Sequence, residues 1–317
     1  MVPNSTLVRR FATDLAALVP EDESVGLAVS GGPDSLALLL LAVAAHPGKV
    51  EAASVDHGLR EASRAECETV ADLCGRLGVP HATVTIEWGE TPDSNLQALA
   101  RVERYALLAN WAKERGLAAI ATAHHADDQA ETLLMRLARG SGLSGLRGAR
   151  DKRLLGEGVW LIRPLLGWRR DELRAIVAEA GIEAVADPAN EDSRHDRTQV
   201  RRWLRDNAWL DPVRLAAVAH HLGEADDALD WALDALAVSR IAPDGEALTV
   251  DPAGIPRELQ RRLLLLALVR LDVAPPRGPD LARAIDALKL GQSVTLGGMK
   301  LDGGSVWRIC HAPPRRS

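Results

Sequence analysis

The stretch Ser24-Val25-Gly26-Leu27-Ala28-Val29-Ser30-Gly31-Gly32-Pro33-Asp34-Ser35 carries the most information in this chain. Its first six residues form a short apolar run bounded by turn residues, the pattern of a buried strand. Ser30 to Pro33 breaks the run, and from Asp34 a long apolar helix is predicted, ending near His46-Pro47-Gly48. Two glycines between a strand and a helix let the backbone adopt positive φ and approach an anion closely. Successive N–H groups then make an anion nest, and the helix N-terminus adds its positive end. Ser30 and Ser35 supply hydroxyl donors. No Gly-Lys-Ser/Thr follows, so the loop is not a Walker A, and it is not G-x-G-x-x-G either. The bare letters also fit a tight turn with Asp34 or Ser35 as N-cap. The surrounding pattern tips the balance towards phosphate binding.

That pattern is strand and helix in alternation. Val50–Val55, Ala82–Ile86 and Leu117–Thr122 read as strands. Ser63–Leu77, Asn95–Arg115 and Asp127–Arg139 read as helices, the first with Ser63 as N-cap and Glu66 at capping-box spacing. Such alternation implies parallel βαβ units with right-handed crossovers. The fold class expected is α/β, a parallel sheet flanked by helices. Ligands in such sheets sit outside the carboxyl ends of the strands. The loops after Val29, Val55 and Thr122 therefore share one rim.

Beyond Gly140 the alternation stops. Ser141–Arg150 reads as irregular, Arg169–Ala180 as a helix and Asp187–Asp196 as a polar loop. Pro212–Arg240 is a long Ala-rich helix. Helices at Pro256–Leu271 and Asp280–Leu288 and strands near Ser293–Leu296 and Val306–His311 make a small α+β domain. The expected organisation is a catalytic domain over 1–210, a connecting helix over 211–242 and a small C-terminal domain over 243–317.

Composition narrows the class. Three cysteines, Cys67, Cys74 and Cys310, form no C-x-x-C pair, which argues for free thiols in a reducing cytosol rather than disulfides or a zinc site. Met1–Arg10 has no apolar signal-peptide core, and the longest apolar run, Leu36–Ala45, is too short to span a membrane. The location expected is cytoplasmic, with no membrane partner. A net charge of −6 argues against a generic nucleic-acid coat. Between Arg136 and Arg205, however, fifteen basic residues face ten acidic ones. That local excess can hold a phosphate backbone on one face, or can equally be a solvated mosaic.

Ser-Gly-Gly-x-Asp-Ser after a first strand resembles the PP-loop of the N-type ATP pyrophosphatases. These enzymes cleave ATP between its α- and β-phosphates and form an adenylated intermediate. Four further stretches sharpen the resemblance: Val55-Asp56-His57-Gly58-Leu59-Arg60; Ala123-His124-His125-Ala126-Asp127-Asp128-Gln129-Ala130-Glu131-Thr132, running on to Arg136 and Arg139; Arg163-Pro164-Leu165-Leu166; and Asp187-Pro188-x-Asn190-x-Asp192, running into Arg197 and Arg201. In this order they resemble the tRNA(Ile)-lysidine synthetase family, over about the first 210 residues. The likeness is to a short form, and the larger final domain of the long forms is not expected. One departure is that Thr198-Gln199-Val200 stands where the family usually has an Asn and a further basic residue between the two arginines.

The resemblance implies an adenine nucleotide alpha hydrolase-like fold and two chemical steps. The O2 of the wobble cytidine in a CAU anticodon attacks the ATP α-phosphate, and the lysine ε-amine then displaces AMP from C2. It implies ATP and Mg²⁺ as cofactors, and tRNA(Ile) and free L-lysine as substrates. A homodimer is compatible with it. Ser30, Gly31, Gly32, Pro33, Asp34, Ser35, Asp56, His57 and Arg60 are then the nucleotide-binding candidates, with Asp34 as a Mg²⁺ ligand or helix cap. Asp128, Glu131, Arg136, Arg139, Arg163, Asn190 and Arg201 are the substrate-binding candidates. Asp34, His125, Asp128 and Arg197 are the catalytic ones.

Physical chemistry supports these types. Charge grows on the α-phosphate and the leaving pyrophosphate, so donors and a divalent cation are needed there. Asp56 and Asp128 are hard oxygen ligands suited to Mg²⁺ or to an ammonium. The amine must lose a proton, and Asp128 or His125 is a candidate acceptor. Arg60, Arg136, Arg197 and Arg201 can neutralise phosphates. Structural roles compete: Asp127 as N-cap, Glu131 paired at the surface with Arg136 or another arginine, His124 and His125 as hydrogen-bonding rather than metal-ligating groups, and His220-His221 as solvated surface. Two other functions also fit the loop, a tRNA 2-thiolation enzyme and a non-catalytic nucleotide- or tRNA-binding module.

Overall fold

The computed structural model describes residues 3–58, 61–88, 96–156, 158–185 and 196–312. The chain divides into two compact units, 1–223 and 224–317.

In the first unit the elements run α1 (Ser5–Ala16), β1 (Val25–Ala28), α2 (Pro33–Ala45), β2 (Val50–Asp56), α3 (Glu61–Leu77), β3 (His81–Thr85), α4 (Leu96–Glu114), β4 (Ala119–Ala121), α5 (Ala126–Ala138), α6 (Leu143–Leu146), β5 (Lys152–Gly156), β6 (Val159–Ile162), α7 (Arg170–Glu179) and α8 (Asp196–Asp206). The long α9 (Pro212–Arg240) crosses the boundary between the units. Six strands form one sheet in the order β3-β2-β1-β4-β6-β5. Every neighbouring pair is parallel except β5 with β6.

Why α2 sits at the centre is visible in its sequence. Leu36 to Ala42 are all buried, because a helix apolar all round finds no solvent face. It lies between the sheet and α1 and α7, packing with Phe11, Leu15, Leu173, Ile176 and Val177. On the other face α4 packs Leu108 and Trp111 against the sheet with Ile120 and Leu161. The approach is close: a Cβ on Gly26 would stand 2.6 Å from the Trp111 ring.

Two sequence expectations change here. Ser141–Arg150 contains the short α6, and the β5–β6 hairpin adds an antiparallel edge strand that the pattern did not predict. These strands have four or five residues, and Gly156 and Gly158 interrupt the run, so no period emerges from the letters. Ser63 is not an N-cap. It lies inside α3, where its hydroxyl accepts from the His57 N–H at 3.3 Å.

The second unit holds the end of α9, then β7 (Ile241–Asp244), β8 (Ala247–Val250), α10 (Arg257–Arg270), α11 (Gly278–Lys289), β9 (Ser293–Leu296), β10 (Met299–Asp302) and β11 (Trp307–His311). Its strands form an antiparallel sheet in the order β7-β8-β11-β10-β9. Leu263, Leu264, Leu268, Leu281, Ile285 and Leu288 from the helices meet Trp307 and Ile309 from the sheet. The buried Arg262 is neutralised by Asp226, Asp230 and Glu258. Among the described residues no helix is long and apolar enough to cross a membrane.

Candidate functional site

A cleft of about 960 Å³ opens at the carboxyl ends of the parallel strands. Its floor is Ala28, Val29, Ala53, Ser54 and Val55, and the loop Ser30–Ser35 forms one wall. That loop is held by its own hydroxyls. The Ser30 N–H donates to Ser35 Oγ at 3.1 Å, and Ser35 Oγ donates to the Gly32 carbonyl at 2.9 Å. Gly31 has φ +80°, and its carbonyl accepts from the Val185 N–H at 3.0 Å. Gly32 is the N-cap of α2, and no side chain caps the helix. The first N–H groups of α2 are therefore left to a ligand, and a helix N-terminus prefers an anionic one. Pro33 occupies the first turn, where its missing N–H costs nothing.

Opposite this loop stands the start of α5. Here the cap is His125, not Asp127. His125 Nδ1 accepts from the Asp128 N–H at 3.4 Å, while Asp128 Oδ2 accepts from the His125 N–H at 3.3 Å. With Nδ1 used as an acceptor, the ring proton sits on Nε2. That nitrogen lies 3.4 Å from Asp34 Oδ2 and 3.5 Å from Asp128 Oδ2. His125 thus stands between the phosphate loop and α5, its side chain only 1% exposed and its Nε2 near both carboxylates without a well-formed hydrogen bond. Asp34 and Asp128 reach the cleft; His125 does not line it. Burial alone would raise the Asp34 carboxyl, but His125, Arg170 and Arg174 outweigh it and hold Asp34 below the usual carboxylate range. Asp127 instead accepts from the Arg170 N–H at 2.8 Å and faces Arg169.

Glu131 is the largest departure from the sequence expectation. It makes no surface pair with Arg136; it is buried and serves three arginines. Arg170 Nη2 donates to Oε1 at 2.8 Å, Arg197 Nε to Oε2 at 2.7 Å and Arg201 Nε to Oε1 at 2.9 Å. Burial would raise its pKa, yet these guanidiniums bring it down to about 2. Arg197 also donates from Nη2 to Asp128 Oδ1 at 2.8 Å. Arg170, Arg174, Arg197 and Arg201 all line the cleft. Glu131 therefore fixes a row of guanidiniums beside two carboxylates.

The other sequence candidates are placed as follows. His57 lines the cleft, and its carbonyl accepts from Trp88 Nε1 at 2.8 Å. Asp56 accepts from the Gly58 N–H at 2.9 Å, a local turn that lowers its pKa. Arg136 donates to the Gly145 carbonyl at 2.5 Å, and Arg139 is the C-cap of α5; neither lines the cleft. Arg163 is buried, donating to the Arg150 carbonyl. Arg60 and Asn190 lie outside the described residues. His124 hydrogen-bonds with Thr122 at 3.0 Å, and burial together with Arg163, Arg101, Arg104 and Arg197 pushes it down to about 3, so it is neutral. His220 and His221 are exposed.

Sequence reasoning missed Arg104 and Tyr105 on α4 and Arg170 and Arg174 on α7, all of which line the cleft. A charged residue within a helix resembles a solvated one until its neighbours in space are known. Only position at the strand ends could have singled these out.

Divalent-cation chemistry can be tested against the donors. Asp34 Oδ1 is buried with no hydrogen-bond partner among the described residues. Asp34 and Asp128 share one rim, although no cluster of three or more ligating residues occurs among the described residues. One or two carboxylates completed by phosphate oxygens suit Mg²⁺, so the residues fit.

Comparison with known proteins resolves the class. Residues 3–208 match the family model described as a PP-loop domain. The tRNA(Ile)-lysidine synthase of Novosphingobium aromaticivorans is 47% identical over 312 residues, covering 97% of this chain and 94% of that one. The tRNA(Ile)-lysidine synthase of Zymomonas mobilis is 44% identical over 302 residues, covering 94% and 91%. The chain belongs to the tRNA(Ile)-lysidine synthase family. The fold of this family member is also similar to that of a U34-tRNA thiolase from Methanococcus maripaludis, with a TM-score of 0.57 at 17% identity over 70% of this chain and 80% of that one. At that identity the likeness concerns fold alone.

Proposed function

We propose that this chain is an ATP-dependent ligase that joins lysine to C2 of the wobble cytidine of a CAU-bearing isoleucine tRNA. In the first step cytidine O2 attacks the α-phosphorus, a P–O bond forms, the bond to the β-phosphate breaks and pyrophosphate leaves. In the second the ε-amine attacks C2, the C2–O bond breaks, AMP leaves and the nitrogen loses a proton.

One observation carries the reading. An uncapped helix N-terminus carries Asp34 in its first turn and opens on the same cleft as Asp128, with Arg170 and Arg197 alongside. The N–H groups and the Ser30 and Ser35 hydroxyls are donors for the phosphates. Asp34, whose Oδ1 has no hydrogen-bond partner among the described residues, would hold Mg²⁺, and the cation would offset the charge of the departing pyrophosphate. Arg197 and Arg170 face growing phosphate charge. Asp128 is the group suited to take the amine proton, because it reaches the cleft and His125 does not. His125 is then a positioning residue.

The tRNA side is supported by α8. Its inner face supplies Arg197 and Arg201, while Arg202, Trp203, Arg205 and the following Trp209 are exposed. Exposed indole rings among arginines suit unpaired RNA bases and their phosphates. The thiolation alternative is weaker. Cys67 and Cys74 are buried free thiols, both pushed up to about 11 by burial, and a thiol that stays protonated is a poor nucleophile.

The test is AMP and pyrophosphate release with ATP, Mg²⁺ and isoleucine tRNA, with and without lysine, followed by mass analysis of the nucleosides. A lysine-dependent cytidine adduct is expected. Pyrophosphate release with no adduct would overturn the choice of nucleophile, and no release with any tRNA would overturn the ligase reading.

A further inference from the structure

The segment joining β6 to α7 is stitched to the start of α5. The Trp168 carbonyl accepts from the Ala126 N–H at 2.9 Å, and Asp127 Oδ2 accepts from the Arg170 N–H at 2.8 Å. Ala126 and Asp127 separate His125 from Asp128 in the chain. These two bonds therefore set the first turn of α5 against the first turn of α7. The same alignment brings Arg170 Nη2 to 2.8 Å from Glu131 Oε1 and 3.7 Å from Asp128 Oδ1. The first N–H groups of a helix need acceptors from outside it. For Ala126 that acceptor is a neighbouring backbone, and it is only as well fixed as Trp168 itself.

Trp168 is fully buried, and α1 grips it. Its Nε1 donates to Asp14 Oδ2 at 2.8 Å. Phe11 meets the indole edge-on, with ring centroids 6.5 Å apart, and Arg10 Cζ lies 4.1 Å from the indole centroid. Arg10 also donates to the Gly167 carbonyl and to Glu172 Oε1, both at 2.8 Å, and Glu172 Oε2 accepts from the Arg169 N–H at 2.7 Å. Positions 10 and 14 share one face of α1. A buried indole N–H needs a partner, and Asp14 is the one it has. Arg10, Asp14 and Trp168 are not part of the cleft lining. Whatever α1 contributes to the chemistry therefore passes through the Trp168 backbone to Ala126 and its neighbours.

We infer that Asp14 and Trp168 are positioning residues for the ligation: their hydrogen bond holds the first turn of α5 against that of α7 and so sets Asp128 relative to Arg170. This rests on the proposed function, in which Asp128 takes the amine proton and Arg170 faces growing phosphate charge. Proton transfer and displacement at phosphorus respond steeply to misplacement by about 1 Å. Binding of ATP or tRNA is spread over many groups and responds less. The loss on breaking the pair falls on kcat and spares KM.

The experiment measures kcat and KM for lysine adduct formation with ATP, Mg²⁺ and isoleucine tRNA, together with melting temperatures. The proteins are wild type, Asp14→Ala, Asp14→Asn, Trp168→Phe, the Asp14→Ala/Trp168→Phe double variant and Val159→Ala. Phenylalanine keeps a ring beneath Arg10 and removes only the N–H donor. Asp14→Ala and Trp168→Phe should each lower kcat by about tenfold to a hundredfold, with KM for ATP and tRNA within about twofold of wild type. The double variant should be no slower than the slower single one, because both changes delete one contact. Asp14→Asn keeps an oxygen acceptor for the indole and should recover to within about threefold of wild type. Val159→Ala truncates a buried residue at the amino end of β6, away from the rim, and should lower the melting temperature while leaving kcat unchanged. An equal kcat loss in Val159→Ala would overturn the inference, since any destabilisation would then suffice. So would losses that add in the double variant, an Asp14→Asn protein as slow as Asp14→Ala, or a raised KM with kcat intact. A wild-type protein that makes no lysine adduct would overturn the proposed function together with this inference. Adduct formation at wild-type kcat in both single variants would overturn this inference alone.

Discussion

Replacing Glu131 by Gln tests whether the arginine row is organised from below. Glu131 is 1% exposed and bonds Arg170, Arg197 and Arg201. Burial opposes its charge, but the three guanidiniums win and bring the carboxyl from an ordinary 4.5 to about 2. At ~1.4 kcal/mol per pH unit that preference is worth about 3 kcal/mol. The figure lies at the low end of the cost of removing one partner from a buried ion pair, about 3–5 kcal/mol. Glutamine keeps the volume and removes the charge, so no cavity confuses the result. In a unit of this size the melting temperature should fall by about 6–12 °C at neutral pH. The pH dependence has a definite sign. Because the folded pKa is depressed, the stabilisation is complete above about 4.5 and is lost as pH falls towards 2. Scanning calorimetry of both proteins from pH 7 to pH 2.5 should show a gap that narrows only below about 4.5. Activity should fall as well, since Arg197 loses one of its two carboxylate partners. A Gln variant melting within about 2 °C of wild type at pH 7 would refute the reasoning, as would a gap indifferent to acid.

Further predictions address the loop, the RNA face and the thiols. Asp34→Asn should lower pyrophosphate release by at least about a hundredfold and lower the melting temperature modestly at neutral pH, since the charge favoured by His125, Arg170 and Arg174 is lost; full activity would remove Asp34 from the site. Gly31→Ala should raise the KM for ATP and cost about 1–2 kcal/mol of stability, since φ is +80° and the new Cβ would meet Val185 at 3.1 Å. Trp203→Ala and Trp209→Ala should each raise the KM for tRNA about tenfold, the effect of one lost base stack, while lysine and ATP kinetics stay unchanged. Cys67→Ala should leave turnover intact; a dead but folded variant would revive the thiolation reading.

The phosphate loop, the helix behind it and the parallel core were readable from the sequence because each is a local signal. A buried strand is a short apolar run, Gly31 and Gly32 permit one kind of turn, and α2 is apolar on every side. The family was readable for the same reason, since its motifs follow the strand ends in order. The β5–β6 hairpin and α8 were not. The first is too short for a period to emerge. The second, with four arginines among eleven residues, resembles a solvated segment until its partner is known.

That partner marks what only tertiary structure decided. The sequence established the residue types at the rim: acids, imidazoles and arginines at the ends of parallel strands. Which of them face substrate and which support others depends on contacts between residues far apart in the chain. Glu131 and Arg201 are 70 positions apart, yet they form one buried ion cluster. His125 lies beneath Asp34 because α5 starts where β4 ends, beside the loop that follows β1. The charge state of each group follows from burial and from the neighbours brought together by folding.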